Sequence, residues 1–234
     1  MKVTSTALAT LREPDLRQVV RASILLGAAV GVFAISFGVG AVSAGASITQ
    51  TCALSLLVFT GASQFSAVSV IAAGGSTGAA LGGALLLSAR NGVYGLAMSR
   101  HLRGGLGLRL VAAQLTIDES TAMALAQDRP RARTAAFWIT GLSVYVFWNI
   151  GTLIGAVAGG AINPKTFGLD AAFPAAFVAM LWPQLRTKRG RWAALIGATI
   201  CLTLIPFVPI GVPILAAATA IVVGIPVESV RPAT

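Results

Sequence analysis

Charged residues are scarce in this 234-residue chain. Lysine, arginine, aspartate and glutamate together make up 10% of it, whereas soluble domains contain roughly 25%. Residues 22–89 contain none of these residues and no histidine, and as a helix this stretch would be about 100 Å long. Because one bilayer crossing needs about 20 apolar residues, the stretch holds about three crossings. The composition excludes a water-soluble domain and predicts an all-α polytopic membrane protein.

Residues and motifs that bind metals or nucleotides are also few. The chain has one histidine, His101, and two cysteines, Cys52 and Cys201, which both lie in apolar segments. It contains no phosphate-binding loop of the G-x-x-x-x-G-K-[ST] type and no H-E-x-x-H or G-x-S-x-G motif. We therefore expect no metal site, no cofactor and no enzymatic activity.

Positive charge is in excess, with a formal net charge of +10. The basic residues cluster at 100–109, 129–133 and 186–191, between apolar segments. This arrangement is typical of cytoplasmic loops and not of a nucleic-acid-binding surface. We expect the N-terminus to be cytoplasmic as well. The predicted parts are a cytoplasmic N-terminal tail (1–21), a single integral membrane domain (22–227) and a short C-terminal tail (228–234).

The apolar segments predict about six to seven transmembrane segments. If the N-terminus and the basic loops of residues 100–133 are both cytoplasmic, an even number of crossings must lie between them, yet three apolar segments occur there. We therefore expect residues 48–73 to be broken or re-entrant, near 59–70. The predicted segments are 22–43, 48–73, 77–99, 134–160, 170–185, 192–207 and 210–226.

A second break is predicted near residues 206–213. Pro206, Pro209 and Pro213 interrupt the last apolar stretch, and each proline removes a backbone hydrogen-bond donor. A kink or a gap between two helices follows from this pattern.

A polar cluster interrupts the uncharged stretch at FTGASQFSAVSV, residues 59–70. Gly61 permits an irregular backbone, while Ser63 and Gln64 supply hydrogen-bonding groups. Irregular backbone at membrane depth survives only inside protein or beside a water-filled cavity. One interpretation is a broken helix whose second half directs its N-terminus at a solute carboxylate. The other, with equal weight, is that the serines bond to their own helix and Gln64 joins two helices.

Arg90 lies inside the apolar segment 77–99. An arginine at the bilayer centre costs about 2.5 kcal/mol or more, so such residues face the interior and serve a function. With Ser88 and Asn91, Arg90 could bind a substrate carboxylate. The alternative is a helix that ends near Ser88, with Arg90 extending to the interface. The apolar continuation after residue 92 favours the functional interpretation.

Asp118 and Glu119 form the only adjacent acidic pair. Two close carboxylates raise each other's proton affinity, which would suit proton coupling. Taken on the residues alone, an ordinary loop pair that balances nearby arginines is the favoured interpretation. Tyr145, Trp148 and Asn149, in VYVFWNIGTL, either line a cavity or mediate packing, and the sequence does not separate these alternatives.

Three segments together resemble the AzlC family, the large subunits of bacterial branched-chain amino acid exporters. They are FTGASQFSAVSVIAAGG (59–75), SARNGVYGLAM (88–98) and LTIDESTAMAL (115–125). GLDAAFPAAFVAMLWPQL (168–185) is similar to a later segment of the same family. The resemblance covers about residues 20–225.

The resemblance implies a multi-pass protein of the bacterial cytoplasmic membrane that exports leucine, isoleucine, valine or related amino acids. It also implies a small membrane partner of the AzlD type and coupling to an ion gradient, with no cofactor. In this interpretation Gly61, Ser63, Gln64, Phe65, Arg90, Asn91 and Asn149 bind the substrate, and Asp118 or Glu119 exchanges a proton. A passive channel and a non-transporting scaffold subunit are the alternatives. Oligomer formation is left open.

Overall fold

The computed structural model describes residues 14–102, 104–161, 178, 181–182 and 184–224. The described part is helical and contains no strand, which confirms the predicted all-α class. The predicted tails lie largely outside it, as does most of segment 170–185. The α-helices are α1 (Pro14–Ser43), α2 (Ile48–Val58), α3 (Ala62–Ala72), α4 (Thr77–Ser99), α5 (Leu106–Gln114), α6 (Asp118–Leu125), α7 (Pro130–Ala161), α8 (Lys188–Leu204), α9 (Val212–Ala217) and α10 (Ile221–Gly224).

The two longest helices, α1 and α7, form the central pair of the bundle. Ser23 on α1 lies 2.8 Å from Thr140 on α7, measured between their hydroxyl oxygens, and Val39 lies beside Gly159. Residue numbers rise together along the contact, so the helices run parallel. Their first turns, and the residues that precede them, therefore lie at the same end of the bundle.

Glycines allow the backbones of α1 and α7 to approach closely. A Cβ atom built on Gly31 would lie 2.9 Å from the carbonyl oxygen of Phe147, and one on Gly155 would collide with the carbonyl of Ile35. Small residues at helix interfaces are typical of membrane proteins, where close van der Waals packing replaces the hydrophobic effect. Both helices are long and apolar enough to cross a membrane.

Residues 59–61 interrupt the helix of segment 48–73, where the sequence predicts a break. Phe59 has φ 37° and Gly61 has φ 59°, so the chain leaves the helical conformation between α2 and α3. Each of these helices has 11 residues and is about 16 Å long. Neither can cross a hydrocarbon core of about 30 Å alone.

Helices α2 and α3 form a hairpin that enters and leaves at the same end of the bundle. Ile48 lies beside Gly160, near the end of α7, and Ser55 reaches Asn149 in its middle. Helix α4 ends close to the start of α7, where His101 contacts Arg133. The start of α4 and the end of α3, which precedes it, therefore lie at the opposite end of the bundle, together with Ile48.

A second break separates α8 from α9, within the region that the prolines predict. Helix α8 ends at Leu204 and α9 begins at Val212, after Gly211 with φ 95°. Large apolar side chains such as Leu57, Leu96 and Phe207 are exposed on the outside of the bundle. An apolar exterior of this kind suits a lipid environment. The number of membrane crossings stays a prediction.

Candidate functional site

The Gln64 side chain joins the two halves of the broken helix. Its Oε1 accepts a hydrogen bond from the Gly61 N–H at 3.1 Å, and its Nε2 donates to the Leu54 carbonyl at 3.0 Å. The side chain is buried, with 1% of its surface exposed. Of the two interpretations of this amide, the structure shows the one in which Gln64 joins two helices and not the one in which it points into a solute pathway. The break leaves backbone groups that need partners, and Gln64 supplies them.

Side chains from two further helices occupy the carbonyl end of α2. Gln114 on α5 donates from Nε2 to the Leu56 carbonyl at 2.9 Å, and the Tyr145 hydroxyl on α7 donates to the same oxygen at 3.1 Å. Orphan carbonyls at a helix end are costly when buried without such partners. The carbonyl end of the break is therefore closed by neutral donors.

Replacing Gln64 by methionine tests this structural role. The substitution preserves most of the side-chain shape but leaves the Gly61 N–H and the Leu54 carbonyl unpaired. We expect a loss of about 1–3 kcal/mol of stability for each group that stays buried and unsatisfied, measured by thermal unfolding in detergent. Gln127→Met is the matched control, because the Gln127 side chain bonds, among the described residues, only to the Met123 carbonyl four residues earlier. Unchanged stability of Gln64→Met together with lost transport would contradict the structural role.

The N-terminal end of α3 opens onto a cavity of about 450 Å³. Apolar and aromatic side chains form most of its wall, among them Phe59, Phe65, Val144 and Trp148. Trp148 is held in place by Phe37, whose ring stacks on it at 6.0 Å, and by the edge of Phe65 at 6.2 Å. The size and lining are those of a small-molecule site.

Polar groups converge on one part of the cavity wall. Arg90 on α4 forms an ion pair with Asp118 on α6, with 2.6 Å between Nη1 and Oδ2, and about a third of each side chain is exposed. Glu119 and Asn91 line the cavity next to this pair. The Arg90 Nε, Asn91 Oδ1 and Asp118 Oδ1 atoms are buried and have no hydrogen-bond partner among the described residues. The cluster therefore has unused hydrogen-bonding capacity.

The local structure around Ser120 positions the acidic pair. The Ser120 hydroxyl accepts a hydrogen bond from the Ile117 N–H at 3.1 Å and donates to the Leu115 carbonyl at 2.6 Å. These bonds set the start of α6, so Asp118 and Glu119 stand in its first turn. Carboxylates are favoured there by the positive end of the helix dipole.

Arg90 lies well inside α4, which continues to Ser99. The alternative in which the helix ends near Ser88 therefore differs from the structure. Ser88 donates its hydroxyl hydrogen bond to Ala84 in its own helix at 2.8 Å and takes no part in the cluster. Thus Arg90 and Asn91 reach the cavity from the middle of a continuous helix.

Comparison with known proteins assigns the chain to a family. The model of the family described as AzlC protein matches residues 25–162, which is more than half of the chain. The chain belongs to the AzlC family. The matched range contains every residue of the candidate site, and the resemblance of the sequence motifs to this family is confirmed.

Relatives of this AzlC-family chain are named as membrane or transport proteins. The inner membrane protein YgaZ of Escherichia coli is 30% identical over 73% of this chain and 74% of its own length. The branched-chain amino acid transport protein AzlC of Bacillus subtilis is 26% identical over 74% of this chain and 66% of its own length. An uncharacterized membrane protein of Helicobacter pylori is 25% identical over 78% and 81%. No solved structure matches the chain.

Six of the nine residues predicted for the site line this cavity in the AzlC-family chain. They are Gly61, Phe65, Arg90, Asn91, Asp118 and Glu119. Ser63, Gln64 and Asn149 do not line it.

The Ser63 hydroxyl contacts that of Thr60. Asn149 donates to the Tyr145 carbonyl and accepts from Ser55, both at 2.8 Å, so its side chain joins α7 to α2.

Sequence reasoning missed Thr60 and Val144, and it named Trp148 as a side chain that could line a cavity without assigning it to the site. Thr60 and Trp148 each stand next to a residue that was chosen, so the signal was present one position away. Adjacent helical residues point about 100° apart, which directs Trp148 to the cavity and Asn149 to α2. Val144 carries no distinguishing signal, because it is one of many apolar residues in α7.

Proposed function

We propose that this protein is a secondary transporter that exports branched-chain or related apolar amino acids, driven by a proton gradient. The observation that carries the proposal is the distribution of groups around a largely apolar cavity. The Arg90–Asp118 ion pair and the Glu119 carboxylate lie on its wall, and so does the N-terminal end of α3. A zwitterion with an aliphatic side chain matches this distribution of groups. Membership of the AzlC family and the printed name of the Bacillus subtilis relative support the same substrate class.

The proposed binding mode uses both ends of the zwitterion. The first N–H groups of α3, after Gly61, have no carbonyl one turn earlier to bond, and they favour a carboxylate. The substrate ammonium group faces the Asp118 carboxylate, whose Oδ1 has no hydrogen-bond partner among the described residues. The aliphatic side chain contacts Phe65 and Trp148. Burying this side chain contributes about 1.5–3 kcal/mol for a leucine-sized group.

Within this site we assign different roles to the two acids. Asp118 already has a cationic partner, Arg90, at 2.6 Å, so protonating it would break an ion pair. Glu119 forms no ion pair among the described residues, so taking up a proton there breaks no ion pair. Glu119 is therefore the residue that binds and releases the coupling proton, while Arg90 and Asp118 form the fixed ion pair.

The proposed membrane arrangement follows from the hairpin geometry. Helices α2 and α3 form a re-entrant hairpin from one face of the cytoplasmic membrane, and their break lies near the bilayer centre. The first turns of α1 and α7 face the cytoplasm, where the basic residues favour them. A small AzlD-type membrane subunit covers part of the apolar exterior.

Exchange of labelled leucine in liposomes tests the proposal. We expect the purified chain, reconstituted alone and with its small partner, to take up leucine faster when unlabelled leucine, isoleucine or valine is inside. Lysine and aspartate inside the vesicles should not stimulate uptake, because the cavity is largely apolar. Uptake that no internal amino acid stimulates would favour a passive channel. The absence of uptake with and without the partner would contradict the proposal.

A further inference from the structure

A second, smaller cavity of about 170 Å³ lies where the end of α4, helix α5 and the start of α7 meet. Two side chains with basic groups line it, His101 after α4 and Arg109 on α5. Leu102, Leu108 and Trp138 supply apolar surface around them. No acidic residue of the described chain lines this cavity, so its electrostatic character favours an anion.

The hydrogen bonds around the cavity leave two donors available. Arg133 directs Nε and Nη2 at the Gln127 carbonyl, at 3.1 and 2.8 Å, and its Nη1 lies 3.4 Å from the His101 Nε2. Arginine cannot accept a hydrogen bond, so Nε2 is the acceptor in this contact and Nδ1 is the ring nitrogen left to face a ligand. The Arg109 guanidinium makes no hydrogen bond or ion pair with another described residue.

The neighbouring surface adds positive charge. Arg100, Arg129 and Arg131 stand in the adjoining segments, and Asp128 is the single acid among residues 100–117 and 126–134. Basic residues grouped beside a membrane attract anionic headgroups. The surroundings therefore concentrate anions near the cavity.

Helix α5 provides the apolar surface that distinguishes a lipid from a free anion. Leu106, Leu108, Leu110 and Val111 are all exposed, by 50% or more, while Ala112 is buried. Helix α5 begins beside the basic segment and ends at Gln114, which reaches the Leu56 carbonyl at the break. Its exposed apolar side chains therefore suit contact with acyl chains, and tryptophans such as Trp138 are enriched at the membrane interface.

We propose that this cavity binds the headgroup of an anionic phospholipid. The phosphate lies between the Arg109 guanidinium and the His101 ring, and the acyl chains extend along the leucines of α5. Arginine suits this role because its planar donors match phosphate oxygens. The proposal is independent of the transported substrate, since it involves no residue of the transport cavity.

Thermal unfolding of the full chain in phosphatidylcholine nanodiscs, with increasing phosphatidylglycerol, tests the proposal. We expect phosphatidylglycerol to raise the unfolding temperature of the wild-type protein. In Arg109→Gln, the phosphatidylglycerol content that gives half of this rise should be about fivefold higher or more. Arg131→Gln is the matched control, because Arg131 is exposed outside the cavity. Arg109→Lys, which preserves the charge, should retain most of the response.

Three results would overturn the proposal. An undiminished response of Arg109→Gln would show that the cavity is not involved. Equal weakening in Arg131→Gln would indicate general surface charge. Inorganic phosphate that produces the same stabilisation in pure phosphatidylcholine would identify a free anion as the ligand. If Arg109→Gln does not fold, a His101→Phe variant decides. It removes Nδ1 from the cavity, and its unfolding temperature in pure phosphatidylcholine accounts separately for the lost contact with Arg133. An undiminished response to phosphatidylglycerol in this variant would overturn the proposal.

Discussion

Replacing Arg90 by glutamine is expected to reduce leucine exchange in liposomes to less than about a tenth of the wild-type rate. Among the described residues, Arg90 is the only cation within ion-pair distance of Asp118, at 2.6 Å. Removing one partner of a buried ion pair costs about 3–5 kcal/mol, because a charge is left uncompensated. Here about a third of each side chain is exposed, so solvent screening reduces the cost. If about 1.4 kcal/mol of this cost falls on the state that binds substrate, the exchange rate already decreases about tenfold.

The control for Arg90→Gln is Arg100→Gln, because Arg100 is exposed at the end of α4 and does not line the cavity. A double variant, Arg90→Gln with Asp118→Asn, separates stability from transport. Removing both charges leaves no unpaired carboxylate, so the unfolding temperature of the double variant should return towards that of the wild type. Its exchange rate should stay low if the charges take part in transport. Wild-type exchange in the double variant would show that the ion pair is only structural.

The break at residues 59–61 was predictable from the sequence because two independent constraints meet there. The positions of the basic loops require an even number of crossings before residue 100, and Gly61 offers the conformational freedom that a break needs. The structure adds the positive φ of Phe59 as well. Positive φ at a bulky residue is uncommon, and no residue pattern in the segment indicates it.

The role of Gln64 could not be predicted, because both interpretations satisfy a buried amide equally well. Its partners are the Gly61 N–H, three residues earlier, and the Leu54 carbonyl, ten residues earlier. The first distance is fixed by helix geometry. The second depends on the angle at which α2 meets α3, which local sequence does not encode. The choice between substrate contact and helix joint is therefore made by tertiary packing.

The partnership of Arg90 and Asp118 also depends on the tertiary structure. The residues are 28 positions apart, and on sequence alone an ordinary loop pair was the favoured interpretation of the acids. The structure instead places Asp118 at the start of a helix, against the middle of α4. Family resemblance favours the functional interpretation of these acids from the sequence alone, because it depends on the order of the motifs and not on local chemistry.

The Glu119→Gln variant is expected to separate exchange from proton-driven accumulation. Glu119 lines the cavity beside Asp118, and the titratable or charged groups around it are Asp118 on its own helix and Arg90 and Tyr94 on α4. Glutamine has nearly the shape of a protonated glutamate and cannot release a proton. A transporter locked in this state can exchange one substrate for another but cannot couple transport to a proton.

A pH gradient across reconstituted liposomes measures this coupling. With one proton per substrate, a gradient of about one pH unit can drive about a tenfold accumulation of leucine. We expect the wild-type protein to approach this accumulation ratio. Glu119→Gln should accumulate no more leucine with the pH gradient than without it, and its exchange rate should be largely retained. Asp128→Asn is the control, because Asp128 is exposed and lies outside the cavity.

The comparison with Asp118→Asn decides between the two acids. This variant breaks the ion pair with Arg90, so it should lose exchange as well as accumulation. If Asp118→Asn retained exchange and lost accumulation while Glu119→Gln accumulated leucine normally, the coupling proton would belong to Asp118. Loss of exchange in Glu119→Gln would instead make Glu119 a substrate contact. The assignment of the proton to Glu119 depends on one structural difference, because a cation neutralises only one of two adjacent carboxylates at the same cavity wall.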